Sequence, residues 1–228
     1  MNLRSTKYLF VILLAALGFV SCDELDSTWN PYHNWQERNA QWFEQVADTA
    51  RQAISQAKAK YGSAWEDHCD WRMYKTLKKS QGFNTGKLTD SICVKIVNRG
   101  EGTLLANYND SVRLSFRGWL MNTQYDNGEG QLFSESHVFT QTYYGDYDPA
   151  TASPSVSPVS AMIEGFQTAL QYMPAGADWY VYIPQELAYG KKSEKEIPAY
   201  STLLFRINMM AIYPAGTGVP AWKSPSRR

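Results

Sequence analysis

Cysteine and histidine are both scarce in this chain, three of each in 228 residues. His33, His68 and His137 are scattered, with no spacing to one another or to cysteine that would hold zinc, so no metal site and no cofactor are expected. Cys69 and Cys93 suit separate burial as small apolar side chains, although an oxidising compartment would permit a bridge between them. An excess of charge is also missing, since 22 Lys and Arg balance 22 Asp and Glu. That argues against a nucleic-acid or acidic-surface partner. Neither a nucleophilic triad nor a carboxylate pair is visible, and no internal repeat or low-complexity tract interrupts the chain.

A membrane-spanning run is absent as well. The apolar stretch from Tyr8 to Val20, preceded by Arg4 and Lys7, is too short to cross a bilayer and suits a secretory signal. Ser21 and Cys22 close it in a pattern similar to the lipobox of bacterial lipoproteins, with Phe19 where leucine is usual. The resemblance implies a mature protein that begins at an acylated Cys22 and is held on a membrane it does not cross. A Gram-negative outer membrane lipoprotein, facing periplasm or cell surface, is the expected location.

What the sequence does contain is a change of period. Asp23, Glu24 and Asp26 make a short acidic tether, and Asn30 before Pro31 signals a helix start. Trp35, Trp42, Val46, Ala50, Ala53 and Ala57 then keep one face of a helix apolar, and Gly62 offers its stop. A second helix is expected from Ala64 to Lys79, carrying Trp65, Trp71 and Tyr74. The face bearing Trp35, Trp42 and Val46 should bury itself on that helix or in a homodimer. After a linker from Gln81 to Leu88 the period becomes two: Ile92, Val94, Ile96 and Val112, Leu114, Phe116 alternate with other side chains as half-buried strands do. Asn127-Gly128 predicts a hairpin turn, Asp148 to Pro158 a loop, Met162 to Tyr172 a short helix, and Asp178 to Pro184 and Thr202 to Ile212 strands. The fold class is α+β, with a signal over 1–21, a tether over 22–30, a helical region over 31–80, a strand-rich domain over 89–213 and a tail over 214–228.

Within that domain four segments occur in an order similar to the FKBP family. They are Asp110-Ser111-Val112-Arg113-Leu114-Ser115-Phe116-Arg117-Gly118; Met162-Ile163-Glu164-Gly165-Phe166 with Ala169-Leu170 and Met173; Ile183-Pro184 with Leu187-Ala188-Tyr189-Gly190; and Ile197-Pro198 with Ser201-Thr202-Leu203-Leu204-Phe205. The resemblance implies a twisted antiparallel sheet wrapped around a short helix, with an apolar pocket between them. It places Phe166 on the pocket floor and Phe116, Ile163, Tyr189 and Phe205 around the reacting bond. Met162, Ile197 and Phe139 would hold the substrate, and Ile163 would also offer a backbone amide. Phe116 stands for the family's usual tyrosine and Phe166 for its tryptophan, keeping apolar faces while removing polar handles.

The family's F-D-S-S segment fits best at Val138 to Tyr143, with Phe133 to Ser136 and Tyr125-Asp126 as rivals; the first two lack the aspartate. A further pocket aromatic could come from Tyr143, Tyr144 or Tyr147. Lys191 to Glu196 is more charged than an apolar peptide-binding flap needs.

What the resemblance implies chemically is peptidyl-prolyl cis/trans isomerisation of proline-containing polypeptides. Amide resonance sets a rotation barrier of about 18–20 kcal/mol. A dry aromatic pocket disfavours the planar, polarised ground state more than the twisted one, and only such a differential accelerates the step. Two other readings stand beside it: a non-catalytic peptide-binding or chaperone module on the same scaffold, and an envelope-assembly lipoprotein whose helices carry the interaction.

Overall fold

A computed structural model of the chain describes residues 30–80, 86–126 and 132–224. The signal, Cys22, the acidic tether and the Asn127-Gly128 turn lie outside those residues. No helix among the described residues is long and apolar enough to cross a membrane.

The first helix among the described residues is α1 (Trp35–Tyr61). Asn30 and Pro31 sit in the turn before it: the Asn30 side chain accepts from the Tyr32 amide at 3.0 Å, and helical geometry begins only after Asn34, at φ 48°. The helix stops at Gly62, whose φ of 57° favours a residue without Cβ. Its most deeply buried stripe is Trp35, Asn39, Phe43, Ala47, Ala50 and Ala57, with Trp42, Val46 and Ala53 at its margins.

The expected second helix does not form. Gly62–His68 is a 3₁₀ segment and Trp71–Lys75 is a strand, β1. Trp71 and Met73 pack toward Phe43 and Ala47 of α1, while Tyr74 stacks on Tyr172 at 4.1 Å. Two-residue alternation thus buries both sides of the segment, which a helix could not do with these neighbours. A short helical turn, α2 (Leu77–Ser80), leads away from it.

The remaining strands are β2 (Ser91–Asn98), β3 (Ser111–Leu120), β4 (Thr123–Asp126), β5 (Leu132–Glu135), β6 (Val138–Gln141), β7 (Ser155–Pro158), β8 (Asp178–Ile183) and β9 (Leu203–Tyr213). The main sheet runs β1-β2-β8-β9-β3-β6, every pair antiparallel. β7 occupies the first half of the same β3 edge that β6 occupies further on, so part of the expected 148–158 loop is a strand. Pro158, the last residue of β7, suits such a strand because its missing N–H faces no second ladder. β4 and β5 pair with each other.

One sheet face carries Ile92, Val94, Val181, Ile183 and Ile207 against α3 (Glu164–Tyr172), forming the main core. Gly165 is required there, because an added Cβ would lie 2.3 Å from Ile183 Cγ2. The other face is shared. Over β1, β2 and β8 it is covered by α1, whose apolar stripe therefore packs on the sheet rather than on a second helix. Cys93 lies beneath that helix and Cys69 is buried nearby, both as free thiols. Over β3 and β9 the same face is polar and aromatic. Arg206 forms a two-pronged ion pair with Asp178 at 3.1 and 2.8 Å, and the Arg206 guanidinium lies 5.5 Å from the Tyr180 ring. Arg113 is held between Tyr213 and Trp222, donating to the Tyr213 hydroxyl and to the Pro220 carbonyl.

α1 also grips the chain just before β9. Trp35 Nε1 donates to Ser201 Oγ at 2.9 Å, and Asn39 Oδ1 accepts from the Thr202 amide at 2.8 Å. Asn39 Nδ2 is spent on the Trp35 carbonyl at 2.8 Å, so this buried amide is anchored at both ends.

Candidate active site

The start of α3, the middle of β3, β6, the start of β9 and the 189–197 loop enclose a cavity of about 560 Å³. Its lining includes Phe116, Phe139, Met162, Ile163, Phe166, Tyr189, Ile197 and Phe205, all eight residues that the sequence assigned to a pocket. Their side chains come from strands and loops far apart in the chain. Four phenylalanines form its apolar base in edge-to-face contacts: Phe166–Phe205 at 4.9 Å and 89°, Phe139–Phe205 at 5.4 Å and 86°, Phe116–Phe166 at 6.0 Å and 80°, and Phe116–Phe205 at 6.4 Å and 63°. Such pairs fix ring orientation beyond what burial alone would do.

Local structure explains each placement. Phe166 is buried because the second residue of α3 after its acidic start points back onto the sheet. Ile163 precedes that helix in extended geometry, φ −61° and ψ 152°, and its carbonyl accepts from the Gln167 amide. Gln167 then turns its own side-chain amide back to the carbonyls of Ser160 and Met162, at 3.2 and 2.5 Å, which braces the wall beneath Met162 and Ile163. Gly118 lets the opposite wall close, since a Cβ there would meet Phe205, Phe139 and Thr140 within 2.7–2.9 Å.

β6 is registered on β3 by Gly118↔Thr140, and beyond the ladder Thr142 clasps Phe116: its amide donates to the Phe116 carbonyl, and its Oγ1 accepts from the Phe116 amide, both at 2.9 Å. Of the three segments compared with F-D-S-S, this one supplies lining side chains, Phe139 and Thr140. A threonine, with no ionisable group, stands next to that phenylalanine.

Tyr189 sits at the rim, 37% exposed, in the turn that Gly190 closes by donating to the Gln185 carbonyl at 2.9 Å. Burial of its ring side, and next the nearby Glu194 carboxylate, push its phenol above the ordinary tyrosine range. It therefore stays a hydroxyl donor through neutral pH. Thr140, Ala161, Glu194, Lys195 and Glu196 also line the cavity and were not assigned to it from sequence. For the last three the signal was the charged run itself.

Tyr143, Tyr144 and Tyr147 do not line it. Tyr143 and Tyr147, with rings 5.3 Å apart, lie near the Asp178–Arg206 pair on the other sheet face, and Tyr144 is exposed. Burial drives the Tyr143 phenol up to about 12. Asp110, at the head of the first motif, is also away from the cavity. It accepts from the amides of Asn107 at 2.7 Å and Ala215 at 2.9 Å, and the Asn107 amide leads in holding its carboxyl below the usual range.

Residues 103–210 match the family model of the FKBP-type peptidyl-prolyl cis-trans isomerases. This domain belongs to the FKBP family. The FKBP-type 22 kDa peptidyl-prolyl cis-trans isomerase of Escherichia coli is 32% identical over 135 residues, which cover 59% of this chain and 55% of that protein. The outer membrane protein MIP of Legionella longbeachae is 31% identical over 126 residues, 51% of this chain and 54% of that one. The chain thus spans about half the length of the curated relatives it matches. Among solved structures, FkpA from Escherichia coli aligns over 94% of this chain and 84% of its own, at 19% identity and a TM-score of 0.44. The FKBP domain contributes every side chain that lines the cavity.

Proposed function

We propose that this FKBP domain, extending over residues 89–213, isomerises prolyl peptide bonds of exported polypeptides. The observation that carries the reading is the base of four edge-to-face phenylalanines under Ile163, Ile197 and Tyr189. A proline ring seated on Phe166 would lose water from its amide, and the twisted amide suffers less from that loss than the planar one. Phe116, Phe166 and Phe205 would act through shape and dryness, Met162, Ile197 and Phe139 would hold the ring, and Ile163 would donate its amide to the carbonyl. The names of the matched relatives support the same activity.

A protease-free assay on a proline peptide tests it, with a rate nearly flat from mildly acidic to mildly basic pH as the expected result. Tyr189→Phe should slow the rate only several-fold, since one lost hydrogen bond is worth on the order of 1 kcal/mol. A bell-shaped profile would contradict the mechanism. Peptide binding without isomerisation would favour the non-catalytic module instead, a reading supported by Thr140 standing beside Phe139 where the family carries an aspartate.

An envelope location is part of the proposal, supported by the run from Tyr8 to Cys22 and by the outer membrane named for one relative. Cys22→Ala should move the protein from the detergent phase to the aqueous phase on partitioning, and unchanged partitioning would remove the lipid. The homodimer expected through the N-terminal helix has less support, because the apolar stripe that would form it covers the sheet. Light scattering should give a monomer mass independent of concentration; a stable dimer abolished by Trp42→Ala would reverse that.

A further inference from the structure

Every side chain at the base of the cavity is apolar, but its mouth is not. Glu194, Lys195 and Glu196 line the same cavity beside Tyr189 and Ile197. The backbone that carries these charges is held in place. Glu194 and Ile197 exchange both backbone hydrogen bonds at 2.9 Å, leaving Lys195 and Glu196 as the two residues of a tight turn. Lys195 adopts φ 51°, a left-handed conformation that a residue with a Cβ enters at a cost. Further bonds close the base of the loop: the Tyr200 amide donates to the Gly190 carbonyl at 2.7 Å, and the Ala199 amide to Ser193 Oγ at 3.2 Å.

The charges at this mouth are not equivalent. The Glu196 carboxylate reaches His137 Nε2 at 3.5 Å, across from the turn that enters β6. Among the described residues Glu194 has no ion-pair partner, and its charge is felt at the Tyr189 phenol on the rim. Lys191 and Lys192 belong to the same loop yet do not line the cavity, so the lining itself carries two acids against one base. A peptide whose proline fills the apolar base must leave through this mouth, bringing its flanking side chains past Glu194.

We propose that Glu194 makes the site selective for prolines flanked by basic side chains, with Lys195 opposing that preference and Glu196 partly engaged by His137. This rests on the isomerase domain's cavity being a peptide site, but it does not depend on the bound amide being turned over. A carboxylate carried on a held turn at a solvent-touched rim contributes modestly to affinity and more to discrimination, because the wrong charge is repelled as well as the right one attracted. Salt should weaken the effect, as the mouth is open to solvent.

The test uses the full chain in mild detergent and three fluorescent peptides, with lysine, leucine or glutamate on both sides of a single proline. Affinity is read by anisotropy and turnover by the protease-free assay. The lysine peptide should bind about five-fold more tightly than the glutamate peptide at low salt, the upper end for an exposed ion pair. Glu194→Gln should abolish that ratio, Glu194→Lys should invert it, and Lys195→Gln should widen it, each variant being checked for an unchanged circular dichroism spectrum. A ratio of one in the unaltered protein, or one that persists in a folded Glu194→Gln variant, overturns the proposal, as does failure of all three peptides to bind. Ranked binding without turnover would leave the proposal standing while removing the isomerase activity. Turnover without ranking would do the reverse.

Discussion

Phe166→Ala should abolish most of the proposed isomerase activity and lower stability by about 3–5 kcal/mol, the range for truncating a buried aromatic. Phe166 is only 3% exposed and touches two further members of the base, Phe205 at 4.9 Å and Phe116 at 6.0 Å. Removing its ring joins new empty volume to the floor of the cavity and admits water where the amide must twist. Each 1.36 kcal/mol of lost transition-state stabilisation is about ten-fold in rate, so a loss of two orders of magnitude needs only about 2.7 kcal/mol. Urea unfolding and the isomerisation assay at low temperature would separate the two effects. A folded variant with an unaltered rate would show that the floor takes no part in the reaction.

The second large effect is expected on the opposite face of the sheet. Asp178→Ala should cost about 3 kcal/mol, because it leaves the Arg206 guanidinium without its partner in a site where the two side chains are only 13% and 23% exposed. With Asp178 gone the arginine cannot escape by deprotonating, because a guanidinium keeps its charge throughout the accessible pH range. Replacing both residues with apolar groups should recover much of the loss. The readout is the urea midpoint of each variant, while turnover at low temperature should persist, since Arg206 points away from the cavity that its neighbour Phe205 lines. An Asp178→Ala variant as stable as the parent would mean that the pair is solvated well enough to count for little.

The alternating strands of the domain were legible because Ile92, Val94 and Ile96, or Val112, Leu114 and Phe116, recur with a period of two on the face that packs into the main core. Pocket residues were legible through their motifs, which fix positions along strands and turns. The failures share a cause in long-range pairing. Trp71 and Tyr74 are three apart, a spacing that reads as helical, and only the ladder of β1 on β2 reveals the strand. Thr140 acquires its place from the register of β6 on β3, and a slip of one residue would turn it away. Tyr143 and Tyr147 follow a loop that brings them near the Asp178–Arg206 pair, a path that no local pattern announces. The deep positions Asn39, Phe43 and Ala47 of α1 lie one step around the helix from the expected stripe, because the surface they meet is a sheet.

Asn39 and Trp35 do more than settle that face. By holding Ser201 and Thr202, they fasten α1 to the very chain segment that runs from Ile197 at the cavity into Phe205 at its base. The N-terminal helix is therefore a splint for the rim of the cavity rather than an arm appended to a finished domain. Cutting the protein between the two would bare the buried faces of Cys93 and Tyr182 and release one side of the cavity at the same stroke. In hydrogen exchange the Thr202 amide, bonded to Asn39 and not to another strand, would open together with the helix, so its protection reports how often the two halves part.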